Sequence, residues 1–355
     1  MSRLAVIIPS FKSNERILYK VLSRLFESRN IDIRIVIVVD YGTSPNVLER
    51  IRSRFGVKLK ILKLKHDPGL QYMRVLGAYY ALKYYDADIV AFIDNDVLLF
   101  PDTLYKMIKI LNKYPFLAAV SPLMINDTII PWMTSIIDSS CFAIWEIPFI
   151  KEVEKGVLLT SYTSGACFLI RTSILRKVGY GSKAMRFWLE DADIGLRIWR
   201  EGLKPAVVLS SIALHLYGFS RRSLDSKSYA KKTIEDHYVG RIKCIYRNFS
   251  IGTFLLGLVI VIIDALRFHV LKSIRGFDGF RIIYSIKGLI RGLMELRCTD
   301  RVALTGDYPK EIKSLMKFAL GIHFRIILKL LDIDKYSKLL RAMARRVMEN
   351  LRFIT

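Results

Sequence analysis

The chain has 355 residues, 52% hydrophobic and 25% charged, with 56 Lys and Arg against 32 Asp and Glu, a net charge of +24. That length holds one large domain with an appendage or two modest domains, and the apolar content excludes a disordered chain. Four cysteines at 141, 167, 244 and 298, with no CxxC pair, exclude a cysteine-stapled miniature fold, argue against structural zinc and fit a reducing compartment.

The N-terminal MSRLAVIIPSFK has only a short apolar run before Pro9, too short for a secretory signal, so a cytoplasmic location is expected. Short β-branched runs then alternate with helical patterns. Strands are predicted at 4–9, 33–39, 57–64, 89–93 and 116–121, and helices at 14–29, 45–54, 70–85 and 101–113. This alternation predicts an α/β fold, a mostly parallel sheet with helices on both faces. Ligands of such sheets bind outside the carboxyl ends of the strands. That points to Pro9 and Ser10, Asp40, the His66–Gly69 loop and Asp94-Asn95-Asp96. No GxGxxG follows the first strand and no GxxxxGK[ST] occurs, so the signatures of a dinucleotide oxidoreductase and of a P-loop NTPase are missing. Phosphates bound here need another counter-charge, and a metal held by carboxylates can supply it.

Four DxD triplets occur, at 86–88, 94–96, 191–193 and 332–334, where composition alone predicts about one. Asp94-Asn95-Asp96 stands out because it directly follows the apolar strand IVAFI and precedes Val97-Leu98-Leu99. Two carboxylates in apolar surroundings need a cation or hydrogen-bond donors, although a plain turn capped by Asp is the bland alternative. Trp188-Leu189-Glu190-Asp191-Ala192-Asp193 opens a helical pattern ended by Gly202. Acids at a helix start serve the macrodipole and the cap, yet three in four positions behind Phe187-Trp188 exceed that need, and one could act as a general base. His215, after the strand 206–209, reads either as a core histidine or as a ligand.

The tail is basic and apolar. Residues 221–355 hold 27 Lys and Arg against 12 Asp and Glu, a net +15, and 248–263 is uncharged for 16 residues. As a helix that run is about 24 Å long, short of the roughly 30 Å of a bilayer core, so it reads as a buried or membrane-dipping helix more readily than a span. Apolar stripes at 312–330 and 336–351 have basic residues off the stripe, the pattern of helices lying in a headgroup plane or packing on a core. Such asymmetry calls for an anionic partner, and the apolar content favours lipid over nucleic acid.

VIIPSFK (6–12), VVDYG (38–42), DPGLQYMRVLGAYYAL (67–82), FIDNDVLLFPDTL (92–104), TSGACFLIRTSILRKVG (163–179), RFWLEDADIGLRIWREG (186–202) and LHLYGFS (214–220) occur in this order. Together they resemble the family 2 glycosyltransferases of GT-A fold, of the rhamnosyltransferase-like, membrane-associated kind. The resemblance implies a GT-A domain over 1–220 and a basic, amphipathic, mainly helical region over 221–355 that meets an anionic membrane at its inner face. It implies transfer of a hexosyl or deoxyhexosyl group from a nucleoside diphosphate sugar to a hydroxyl of a lipid-linked or cell-surface glycan, with inversion and with Mg²⁺ or Mn²⁺ as cofactor. Residue by residue, Pro9 and Ser10 would shape the nucleotide pocket and Asp40 would receive the base N–H. Gly69 and Arg74 would lie beside the nucleotide. Asp94, Asn95 and Trp188 would meet the ribose or sugar, and Gly165 and Ala166 would line the sugar and acceptor site. Asp96 and His215 would bind the metal; Asp191 would be the catalytic base, with Glu190 its acidic neighbour. Tyr41 stands where many relatives carry a second acid, position 67 is Asp where Asn is common, and no QxxRW follows the acidic cluster, which argues against a processive synthase. A polyprenyl-phosphate sugar synthase, a basic nucleic-acid-binding protein and a glycan-binding relative without turnover are the competing readings.

Overall fold

The structure is a computed structural model that describes residues 2–125, 136–137, 143–144, 151–181, 185–216, 226–274 and 280–300. In chain order the elements are β1 (Arg3–Phe11), α1 (Glu15–Phe26), β2 (Asp32–Tyr41), α2 (Pro45–Phe55), β3 (Leu59–Leu64), α3 (Leu70–Tyr84), β4 (Ile89–Ile93), β5 (Val97–Leu99), α4 (Thr103–Lys113) and β6 (Leu117–Ile125). There follow β7 (Ile136–Ile137), β8 (Ala143–Ile144), β9 (Lys151–Glu154), β10 (Val157–Leu159), β11 (Cys167–Arg171), α5 (Thr172–Val178), α6 (Glu190–Arg200), β12 (Lys204–His215), α7 (Ser226–Asn248), α8 (Ile251–Ile274) and α9 (Phe280–Met294).

One sheet runs β3-β2-β1-β4-β11-β6-β12-β10-β9, with β5 paired to β12. The β3-β2-β1-β4 block and the β6–β12 pair are parallel, as the alternating pattern predicts. β11 is antiparallel to both β4 and β6 and sits between the two parallel blocks. Strands buried on both faces read as unbroken apolar runs, and Leu4 to Ile8 of β1 are wholly enclosed. Leu4, Val6 and Ile8 face α1 and α4, whereas Ala5 and Ile7 face α3, α5 and α6, so helices cover both faces.

Two features position the site. β4 stops at Ile93, and the Asp94 amide turns to the Ala166 carbonyl (2.8 Å). Val97–Leu99 then forms the short β5 instead of continuing as loop, and its register pairs Val97 with His215 at the end of β12. The second feature is α7, which packs on α6. Its Ile242, Cys244 and Ile245 share one core with Ala192, Leu196 and Trp199 of α6. Buried Asp193 accepts from Arg247 (3.1 Å) and Asn248 (2.7 Å) of α7 and pairs with Arg197 (3.0 Å). These partners hold the Asp193 carboxyl below the usual carboxylate range in spite of its burial. Among the described residues no helix is long and apolar enough to cross a membrane. The stripes at 312–330 and 336–351 lie outside the described residues.

Candidate active site

Arg74 is the hub of the site. It lies on α3, a helix apolar on nearly every side, and only 3% of its side chain is exposed. A guanidinium so buried needs carboxylates and carbonyls around its fixed fork of donors. Nη2 donates to Asp94 Oδ1 (2.8 Å) and to the Gly165 carbonyl (2.7 Å), and Nη1 donates to Glu190 Oε1 (2.9 Å). One cation thus ties the carboxyl end of β4 to the start of α6. Replacing Arg74 by Met leaves Asp94 and Glu190 uncompensated. Urea unfolding is expected to show a loss of about 3–5 kcal/mol, and an unchanged midpoint contradicts the hub role.

On one side of Arg74, Asp94, Asp96 and His215 each offer a ligand atom, all within 4.8 Å of one another. His215 Nε2 lies 3.3 Å from Asp96 Oδ1, and the Asp96 side chain is nearly buried. Burial pushes the Asp94 carboxyl up from the usual range although Arg74 draws it down, while the Asp96 charge adds to the rise. Two carboxylates and an imidazole suit a small divalent cation such as Mg²⁺ or Mn²⁺, which would relieve that repulsion.

On the other side, Asp191 accepts from the backbone amides of Gly165 (3.0 Å) and Ala192 (2.9 Å). Burial, and then the neighbouring charge of Glu190, push its carboxyl up to about 7. A β-carbon at Gly165 would lie 3.0 Å from Asp191 Oδ2 and 3.3 Å from Arg74 Nη1, so the loop fits only as glycine without displacing one of them. Glu190 is buried, with Oε1 on Arg74 and Oε2 without a hydrogen-bond partner. The acidic cluster therefore divides its work: Glu190 and Asp191 face the site, and Asp193 anchors α7.

The turn before α6 is strained, with Trp188 at φ 72° and Leu189 at φ 61°, a conformation costing of order 1–3 kcal/mol per residue. α7 holds it in place. Gly240 passes so close that a β-carbon there would sit 2.7 Å from the Trp188 carbonyl oxygen, and the Trp188 ring meets His237 edge-on at 5.4 Å. Trp188 is thus set against α7, and no described hydrogen bond joins it to the carboxylates.

At the carboxyl ends of β1 and β2, Ser10 donates to Asp40 Oδ1 (2.7 Å), as does Thr43 Oγ1 (2.5 Å), and the Thr43 amide donates to Oδ2 (3.2 Å). Ser13 bonds Ser10 (2.8 Å), and Asn95 donates to Ser13, joining this network to the metal-side turn. Pro9, Ser10 and Asp40 are fully enclosed and brace the two loops. Gly69 caps α3 at φ +87°, with its amide on Asp67 (3.0 Å), which also accepts from Arg186 (2.6 Å). Ala166 contributes its carbonyl to the Asp94 turn. Ser13, Thr43, Arg186 and the α7 pair Arg247–Asn248 escaped the sequence reading; the Arg directly before the FWLED run is the one signal that could have drawn attention to Arg186.

A family model described as "Glycosyltransferase like family 2" matches residues 2–234. Among solved structures the chain is similar to GalNAc-T7 with UDP, GalNAc and Mn²⁺, at a TM-score of 0.53 and 14% identity, covering 66% of this chain and 48% of that one. It is also similar to the mannosyltransferase PcManGT from Pyrobaculum calidifontis in complex with GDP-Man and Mn²⁺, at a TM-score of 0.51 and 14% identity, covering 83% and 88%. The chain thus spans about half the length of the first, and both are likenesses of fold. No curated protein matches the chain.

Proposed function

The chain belongs to glycosyltransferase family 2, and from that premise we propose that it is a metal-dependent, inverting sugar transferase. Its donor is a nucleoside diphosphate sugar carrying a hexosyl or deoxyhexosyl group, rhamnose-like sugars included. Its acceptor is a hydroxyl of a lipid-linked or cell-surface glycan, met at the inner face of the membrane. The observation that carries this reading is the Arg74 bridge, which sets a cation-ligand trio and an activated carboxylate on either side of one guanidinium. We take the division into a catalytic unit and a basic helical region as part of the proposal, with α7 as the seam.

Asp94, Asp96 and His215 would hold Mg²⁺ or Mn²⁺, which when bound offsets the charge growing on a departing diphosphate. Asp191 takes the proton of the acceptor hydroxyl as the new bond forms, and a single displacement inverts the anomeric carbon. Arg74 and the Gly165 amide hold Asp191 and Glu190 in register with the donor. Gly165 and Ala166 form the floor on which sugar and acceptor meet, and Trp188 borders the sugar. Asp40, enclosed by Ser10 and Thr43, would meet a base N–H at Oδ2 only in place of the Thr43 amide.

A general base must be ionised. With the Asp191 carboxyl pushed up to about 7, kcat/KM is expected to fall about tenfold per pH unit below neutrality and to level off above it. Initial rates from pH 5.5 to 9 at saturating Mn²⁺ test this. A profile flat between 5.5 and 7 contradicts the assignment.

A further inference from the structure

α8 turns the wrong residues outward for a helix facing water. A surface helix presents its polar stripe to solvent, yet from Ile251 to Ile262 this one carries no charge at all. Leu255, Leu256 and Val259 point out while Phe254 and Val261 are buried. α9 does the same with Ile283, Ile286 and Ile290. These six side chains are between 44% and 55% exposed, and the α9 stripe runs on to Met294 at 62%. Scattered exposed leucines are ordinary, but stripes on two touching helices are not.

The stripes share one side of the molecule. Both helices rest on α7, with Phe254 and Val261 of α8 and Leu289 of α9 in the same core as its Ile242 and Ile245. Gly288 and Gly292 of α9 lie against Glu235, Tyr238, Val239 and Ile242 of α7, whereas Trp188 lies against His237 and Gly240. At 3.6 residues per turn those two sets fall on opposite sides of α7. The carboxylates and the apolar face are therefore separated by two helical layers, α7 and then α8–α9, each about 10 Å thick.

Charge identifies the partner. Neither 251–262 nor 283–294 contains an acidic residue. Nearby Glu235, Asp236 and Glu295 pair with Arg291, and Glu295 also pairs with Lys243, so two cations offset most of this acidic charge. Exposed Lys287 and Arg297 border the α9 stripe, and Lys231 and Lys287 flank the Tyr284 ring at 5.6 and 4.8 Å. Apolar stripes edged by lysine, arginine and tyrosine match the boundary between anionic headgroups and acyl chains. A second copy of a +24 chain matches it poorly, since pairing would bring like charges together.

We propose that the α8–α9 face seats this protein on an anionic phospholipid bilayer, lying in its plane, with the α6 carboxylates held about two helix diameters from it. This rests on the membrane reading given above but assigns the contact to described residues apart from the two stripes beyond residue 300. The full chain is to be floated with vesicles of phosphatidylglycerol and phosphatidylethanolamine, and with neutral phosphatidylcholine. Leu255→Glu with Val259→Glu, and Ile286→Glu with Ile290→Glu, are compared at equal melting temperature. The expected result is flotation of the wild type on anionic vesicles and at least a tenfold lower bound fraction for both variants. As a second readout without added charge, Val259→Cys in a Cys141→Ser, Cys298→Ser background carries an environment-sensitive dye. Its emission is expected to shift to the blue on anionic vesicles. Equal flotation of all forms with an unmoved dye overturns the α8–α9 assignment and leaves the membrane reading standing. No flotation of the wild type overturns both. A wild-type dimer that the variants abolish, without flotation, assigns the face to a second copy and also overturns the proposal.

Discussion

Asp191→Asn is expected to lower sugar transfer by about 10²–10⁴-fold, the share that a positioned general base supplies. Donor affinity should stay within about twofold, because the loss falls on the transition state and not on the ground-state complex. The residue is suited to the task by its surroundings. Burial and the adjacent Glu190 push its carboxyl to about 7, and two backbone amides fix its direction. An amide side chain keeps the size and loses the proton affinity. Transfer assays and calorimetry of the donor on the same preparation separate chemistry from binding. Turnover equal to wild type excludes Asp191 as the base, and a parallel collapse of donor affinity assigns it to binding instead.

The second large effect is expected at Asp96. Asp96→Ala removes one of the three ligands clustered within 4.8 Å, and with it the carboxylate 3.3 Å from His215 Nε2. Neutralising a departing diphosphate is worth several kcal/mol, so kcat/KM should drop by about 10²–10³-fold or more. Nucleoside diphosphate binding should also stop responding to Mn²⁺, which calorimetry with and without chelator reads directly. A variant that keeps the wild-type Mn²⁺ response contradicts the placement of the cation. Asp94→Ala should behave differently, because Asp94 also balances Arg74. Its loss should cost stability as well as activity.

How much of this was legible in the chain varies with the range of the contact. The parallel strands announce themselves because a strand covered on both faces must be apolar throughout, and IVAFI running into Asp94 marks a strand end without any further information. Antiparallel β11 carries no such mark. Its place between β4 and β6 comes from the order of strands in space, which periodicity does not encode. His215 was indistinct for the same reason: it meets Asp96 through the pairing of three-residue β5 with β12, too short a strand to show a pattern. Arg74 is expected beside the nucleotide from the resemblance alone, and only its burial makes it the sole described counter-charge reaching both Asp94 and Glu190. The acidic cluster was visible as a cluster, and the resemblance already points to Asp191; the fold adds that Asp193 answers to arginines 4 and 54 residues away. The boundary expected at residue 220 comes from the resemblance and from the charge of the tail, and neither signal carries the core that Ile242, Cys244 and Ile245 of α7 share with α6.

The most direct test is a thermal-shift panel of nucleoside diphosphate sugars, each with Mn²⁺ and with chelator. A ligand that binds only the folded state raises the melting temperature, and the rise grows with the logarithm of its concentration relative to its dissociation constant. At least one donor is predicted to raise it with Mn²⁺ present and to lose that effect on chelation. An equal rise in chelator, or no rise with any donor, contradicts the account of a cation held by Asp94, Asp96 and His215.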